Sequence, residues 1–519
     1  MRTILSSSLR RAFRLAQIAN FQKDKTFDDL LAEQERFAAS RRQFLKTTVQ
    51  AGAVLGLGGT SLAGYFLENF DKPKYKIAIV GAGMAGLSAG YFLRRKGVQA
   101  TIFEGDKRAG GRIKSAHIFD NGKLTTEIGA EFIDTSHSEM LFFARMLGLE
   151  PKLMDVETDK FGERDAFFFE NRHRNLREVL AEFKDVYPRI MADQKKLEGR
   201  YAAELDKISM ADYIEKLPVS DWIKKMLHAA YLGENGMEPA RQSAANLLSI
   251  FEIRDDKFFP FGASDERFKV IGGNEQIPQG LAKILEPQIR YEHKLLSLRE
   301  NGNKSLTLTF SQNGSTKEET FDLVIMTLPF TILRDLDVKM DLPPLKRRVI
   351  AELGYGANTK FVVETKERTW RKAGYRGYLF NEQIPNGWDS TQLQQGNEGV
   401  GTFTCFFGGD RARAAARGTE KEQLAYVLPA LDGAFPGTGA SLTGNMELAH
   451  WPANPFVKAS YSCFSVGQIT DFEGAAFEPV RRLYFAGEHC SADFWGFMNG
   501  AAETGRRAAE KVLKKMRVR

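Results

Sequence analysis

Tyr75-Lys76-Ile77-Ala78-Ile79-Val80 runs directly into Gly81-Ala82-Gly83-Met84-Ala85-Gly86, and then into the spaced apolar residues Leu87, Ala89, Phe92 and Leu93. The first run is short and β-branched, and the last has helical spacing, so the stretch predicts a strand, a tight turn and a helix. In that arrangement Gly81 permits the turn and Gly83 lets the backbone approach a pyrophosphate at the helix N-terminus, beside Ala85. Gly86 lets helix and strand pack closely. A second strand, Gln99 to Phe103, ends at Glu104. An acid there is placed to accept hydrogen bonds from the 2′- and 3′-hydroxyls of an adenosine ribose, and it disfavours a 2′-phosphate, which argues against NADP.

Working outward, Arg108-Ala109-Gly110-Gly111-Arg112 follows the acidic strand end, and Glu127-Ile128-Gly129-Ala130 lies just beyond. Near the other end, Arg482-Leu483-Tyr484-Phe485-Ala486-Gly487-Glu488-His489 reads as a buried strand ending in a loop. It is followed by Gly496-Phe497-Met498-Asn499-Gly500-Ala501 and a helix through Ala508. A second glycine-rich helix start suits an anionic or carbonyl ligand group.

Over residues 74 to 513 the chain resembles the flavin-containing amine oxidase family, which includes monoamine, polyamine and L-amino-acid oxidases. The resemblance implies FAD, with Gly111 and Arg112 near the pyrophosphate and the flavin, and with Gly129 close by. It also implies that Gly487 and Glu488 meet the ribityl or phosphate region, and that the turn at Phe497 and Met498 supports the isoalloxazine. Gly354-Tyr355-Gly356-Ala357-Asn358-Thr359-Lys360 resembles the segment whose lysine holds a water beside flavin N5, which assigns that role to Lys360. A lysine buried there would be desolvated and able to assist proton movement or oxygen activation.

Trp451-Pro452-Ala453-Asn454-Pro455 leads ten residues on to Tyr461, a spacing similar to the monoamine oxidase segment that ends in one wall of an aromatic cage. The opposite wall falls at Phe497, where the family usually has tyrosine, and Trp495 adjoins it. Two facing rings would position an amine nitrogen. Ser460 stands where monoamine oxidases carry the cysteine that bonds the flavin, so FAD is expected to be non-covalent. Phe132 stands where snake-type L-amino-acid oxidases place a carboxylate-binding arginine. Asp134 stands where polyamine oxidases carry an acid; it is read either as attracting a second ammonium group or as a solvated loop acid.

Composition reads as that of a soluble globular protein. The 519 residues are 43% hydrophobic and 27% charged, enough for a large core and several domains. Cys405, Cys463 and Cys490 lie too far apart for a disulfide scaffold or a paired zinc site, so no metal is expected. The formal charge of +7 sits at the ends: residues 1–46 hold ten Lys/Arg against five Asp/Glu, and residues 506–519 hold seven against one. The stretch between is slightly acidic, a poor footprint for nucleic acid.

Ser40-Arg41-Arg42-Gln43-Phe44-Leu45-Lys46 precedes a weakly apolar Gly/Ala-rich stretch from Thr47 to Leu67 and resembles a twin-arginine export signal, with Ser61-Leu62-Ala63 as a small-x-small cleavage site. The same stretch also suits an uncleaved membrane anchor of about 20 residues. Export by the twin-arginine translocase would deliver the protein, cofactor included, to the periplasm or beyond.

The expected fold is α/β, with a two-part FAD-binding Rossmann-like domain of the glutathione-reductase type, a mixed-sheet substrate domain and a helical insertion. The expected division is a leader and linker at 1–70, FAD-binding segments at 71–137, 261–330 and 476–519, a helical insertion at 138–260 and a substrate domain at 331–475. The expected reaction is oxidation of a small-molecule amine to an imine, with oxygen as acceptor and hydrogen peroxide as product. Alternatives are an L-amino-acid oxidase, a carotenoid- or porphyrin-type FAD oxidoreductase, and a non-catalytic exported flavoprotein. Oligomeric state is left open, a homodimer being one option.

Overall fold

Five parallel strands carry the glycine-rich motif, in the order Ile289–Arg290, Thr101–Phe103, Ile77–Val80, Leu323–Met326, Leu483–Phe485. This is a computed structural model, and it describes residues 75–197, 202–254, 257–262, 264–312, 314–472 and 474–518. The twin-arginine segment lies outside the described residues. Ile77–Val80 and Leu323–Met326 are apolar on both faces and wholly buried, as expected of interior strands in a parallel sheet.

The helix Met84–Arg94 returns over this sheet, and the helix Met498–Met516 packs against it. Their approach is close because the residues are small. A Cβ on Gly505 would lie 2.1 Å from the Ala85 carbonyl oxygen, and Ser88 Oγ donates to the Ala502 carbonyl at 2.6 Å. The first and last thirds of the chain thus share one core, through Leu87, Leu93, Ala502 and Val512.

A second, seven-stranded sheet runs Leu442–His450, Asn358–Thr365, Gly401–Gly408, Asn386–Asp389, Tyr375–Asn381, Glu163–Phe169, Arg172–Arg174. It is antiparallel except where Tyr375–Asn381 meets Glu163–Phe169. Residues 163–174 therefore depart from the helical pattern expected of 138–260. The run Ala166-Phe167-Phe168-Phe169 is strand-forming, with Ala166, Phe167 and Phe169 buried in the sheet. The helices Leu176–Phe183, Tyr187–Lys196, Met210–Glu215, Asp221–Asn235 and Ala244–Leu248 follow, as the helical spacing predicts. Ser209 caps one of them, its side chain accepting from Asp212 N. Ser315–Phe321 is an exposed hairpin arm paired with Leu306–Gln312.

Candidate active site

Both glycine-rich helix starts open onto one cavity of about 2300 Å³. A small-ligand pocket is typically no more than about 1000 Å³, so this one has room for a dinucleotide and a substrate together. From the front of the chain Gly81, Gly83, Ala85, Glu104, Gly111 and Arg112 line it. From the middle come Gly129, Phe132, Asp134 and Lys360, and from the rear Tyr461, Gly487, Glu488, Trp495, Phe497 and Met498. Gly86 is the exception: its Cβ would lie 1.9 Å from the Gly81 carbonyl oxygen, so its work is helix-to-turn packing.

The nucleotide end fits an FAD-type ligand on three observations. Gly81 takes φ +106°, a left-handed conformation that turns the chain, whereas a Cβ on Gly83 would meet nothing within 4 Å and would protrude into ligand space. The helices starting at Met84 and Met498 have no side-chain N-cap, which leaves first-turn amides to a ligand. His489 Nδ1 is buried without a partner among the described residues, and its ring lines the cavity. Glu104 accepts from Ala82 N at 2.7 Å and Asp106 N at 2.8 Å, and burial raises its carboxyl above the ordinary range.

Arg112 Nη1 donates to the Ser460 carbonyl at 2.7 Å and to Glu488 Oε1 at 2.8 Å. Glu488 also accepts from Ser462 Oγ at 2.7 Å and Gly496 N at 2.9 Å. Burial opposes the Glu488 charge, but Arg112, His489 and the Ser462 hydroxyl together hold the carboxyl below its usual range. Its oxygens are thus engaged within the protein, tying the Arg112 turn to the last glycine-rich turn. Ser460 Oγ donates to Asn358 Oδ1 at 2.5 Å.

Lys360 sits inside the strand Asn358–Thr365, where strands on both sides bury it. Its Nζ donates to Glu131 Oε2 at 2.6 Å and to the Glu127 carbonyl at 3.0 Å. Burial outweighs the nearby carboxylates, so its ammonium is more acidic than an ordinary lysine's. Tyr461 donates its hydroxyl to the Glu234 carbonyl, and the Tyr461 ring lies against Gly496. Phe497 packs on His137 with ring centroids 5.0 Å apart, and Trp495 on Phe464 at 5.8 Å.

Sequence reading passed over several groups here. Glu131, Glu234, Glu266 and Trp388 also line the cavity. Glu266 N donates to Asp134 Oδ1 at 3.1 Å, and Asp134 faces the His137 ring at 3.4 Å. Burial and neighbouring carboxylates push Glu234 up to about 8 and Glu266 to about 7, while burial takes His137 down to about 4. Only Glu131 was adjacent to a quoted motif; Glu234 and Glu266 come from the helical region and the loop after it, with no local pattern to mark them.

A parallel-sheet nucleotide domain and a mixed sheet closing on a shared cavity define a dinucleotide-binding protein with a substrate pocket beside the nucleotide. The flavin containing amine oxidoreductase model matches residues 84–513, and the chain belongs to that family. It is therefore a flavin-dependent oxidoreductase acting on amines. L-amino acid oxidase Lm29 of Lachesis muta is 23% identical over 484 residues, covering 86% of this chain and 88% of its own. L-amino-acid oxidase apoxin-1 of Crotalus atrox is 24% identical over 480 residues, covering 85% and 87%. The fold is shared with a putrescine oxidase solved with putrescine, at TM-score 0.72 and 18% identity over 85% of this chain and 99% of the other. It is also shared with the cyclohexylamine oxidase of Brevibacterium oxydans, at TM-score 0.72 and 18% identity over 86% and 100%. No helix among the described residues is long and apolar enough to cross a membrane.

Proposed function

We propose that this chain holds FAD non-covalently and oxidises an amine that lacks an α-carboxylate, with oxygen as the final acceptor and hydrogen peroxide as product. Bound FAD supplies the two-electron acceptor; the chain's own residues bind, orient and keep the site dry. Gly83 and the first-turn amides receive the pyrophosphate, Glu104 the ribose, and Met498 and its neighbours the ring end. Tyr461 and Phe497 flank the amine, and Lys360 holds a water, the donor left after Glu131 and Glu127 take two of its three N–H groups. Ser460, in place of a cysteine, supports non-covalent attachment.

One observation carries the choice of amine. The wall beyond Tyr461 presents Asp134, Glu234 and Glu266, with Phe132 beside them. A carboxylate substrate would find a cluster of acidic side chains there, which favours an ammonium over a second carboxylate. Two cations behind this wall are engaged: Lys269 lies 4.8 Å from the Phe132 centroid but donates to Glu131, and Arg164 pairs with Glu266 at 3.4 Å and stacks on Tyr378.

The L-amino-acid oxidase relatives support a second reading. A matched panel separates the two: peroxide release from phenethylamine against phenylalanine and tryptamine against tryptophan, with putrescine and spermidine added. Higher kcat/KM for the amines is expected; amino acids winning both pairs replaces this reading with an L-amino-acid oxidase. Acid precipitation is expected to leave FAD in the supernatant, and a yellow precipitate would refute non-covalent binding. Delivery to the periplasm is proposed to need Arg41 and Arg42, and normal export of the double lysine variant would sink that route.

A further inference from the structure

Glu131 is shared between two lysines. Lys269 Nζ donates to its Oε1 at 2.7 Å and Lys360 Nζ to its Oε2 at 2.6 Å, and all three side chains are only 3–5% exposed. The lysines differ in outlook. Lys360 lines the cavity, its Nζ 5.1 Å from the Trp388 centroid and 6.0 Å from that of Phe406. Lys269 comes from the strand Phe268–Val270 behind the wall, with its remaining contacts to the Ser390 carbonyl at 3.3 Å and the face of Phe132.

We infer that Glu131 is a positioning residue for Lys360, and that Lys269 sets how much of the Glu131 charge Lys360 receives. This rests on the reading that Lys360 faces the flavin. With two of its three donors fixed on Glu131 and the Glu127 carbonyl, the third direction of the Lys360 ammonium is determined. A buried lysine lacking a counter-charge would lose its proton, and one that did not share its carboxylate would hold it more firmly. The charged and titratable groups facing Lys360 are Glu127 and Glu131 from residues 124–131 and Lys269 from the neighbouring strand; Trp388 and Phe406 add ring faces. Glu127 is held by Asn274 N at 2.7 Å and Ser115 Oγ at 2.8 Å, and burial raises it to about 8, which leaves Glu131 as the anion of the group at neutral pH. Burial opposes the Glu131 charge as well, but the two lysines outweigh it and hold that carboxyl below its ordinary range. Lys269 touches no ligand space, so it acts on the site only through Glu131.

The test is a pH titration of the visible absorption of the flavin-loaded protein, in wild type, Glu131→Gln, Glu131→Asp, Lys269→Met and Lys360→Met, with the pH profile of flavin reduction alongside. The Lys360-linked spectral midpoint is expected to fall by a pH unit or more in Glu131→Gln and to rise in Lys269→Met. Glu131→Asp should return it towards wild type. Opposite movements in the two variants cannot come from general loosening. Midpoints that stay put, or move the same way, overturn the proposal; Glu131→Asp and Lys269→Met decide it if Glu131→Gln does not hold flavin. A wild-type titration in Lys360→Met overturns the placement of Lys360 at the flavin, and the proposal with it.

Discussion

Arg112 and Glu488 form an ion pair of 2.8 Å across 376 positions of sequence, which couples the turn after the second nucleotide strand to the glycine-rich turn before the last helix. The carboxylate is buried and the guanidinium is one-quarter exposed. Replacing Glu488 by Gln should leave Arg112 under-compensated and loosen both turns at once. The expected cost is about 1–3 kcal/mol, below the range for a wholly buried pair because Arg112 reaches solvent. Flavin retention through gel filtration should fall together with Tm.

Gly83 and Gly86 belong to one motif but should fail in different ways. Gly86→Ala puts a Cβ 1.9 Å from a backbone oxygen and should prevent stable folding. Gly83→Ala meets open space, so the variant should fold and bind FAD more weakly. Soluble yield and FAD titration of the apoprotein by fluorescence distinguish the two.

Glu127 gives a pH-dependent stability. Burial takes its carboxyl from 4.5 to about 8, so between those values the unfolded chain releases a proton that the folded chain keeps. Stability from this group is therefore present at low pH and is lost as pH rises from about 4.5 to 8. Glu127→Gln removes that loss while still offering an acceptor to Asn274. Its Tm advantage over wild type should widen by a few degrees between pH 5 and 8 and level off above, as scanning calorimetry would show.

Glu266 and Glu234, raised to about 7 and 8, carry protons in the empty site near neutral pH. A bound ammonium favours the charged carboxylate, so binding should release a proton and tighten as pH rises through 7 to 8. The change approaches about tenfold per pH unit per group. The Kd of a non-oxidised quaternary amine, free of titration itself, measures this directly, and Glu266→Gln should flatten the curve.

Tyr461→Phe keeps the ring and deletes the hydroxyl that donates to the Glu234 carbonyl. The expected loss is about 1 kcal/mol of stability with a modest rise in KM, whereas Tyr461→Ala should lower kcat/KM further by removing the wall. Steady-state kinetics on one amine gives the comparison.

The nucleotide end was legible because it is built from local rules. Gly81, Gly83 and Gly86 each answer a backbone requirement within six residues, and Glu104 ends the adjacent strand. The reading of Glu488 as a ligand-facing acid took no account of Arg112 and Ser462, since nothing near it in sequence announces those partners. Residues 163–174 were read as part of a helical stretch because their sheet partner, Tyr375–Asn381, lies some two hundred residues away.

What this sequence determined by itself was therefore the strand-turn-helix at each end and the acid at Glu104, whereas Lys360 and Tyr461 were singled out only by resemblance to the family. For the glycine turns and Glu104, φ, strand period or helix start confines residue type within a few positions. What only the tertiary structure decided was the electrostatics of the reacting end. The bridge of Glu131 between Lys269 and Lys360, and the gathering of Asp134, Glu234 and Glu266, join residues from separate strands, helices and loops. Charges act through space over a few ångströms in a buried medium, and sequence distance carries no record of that separation.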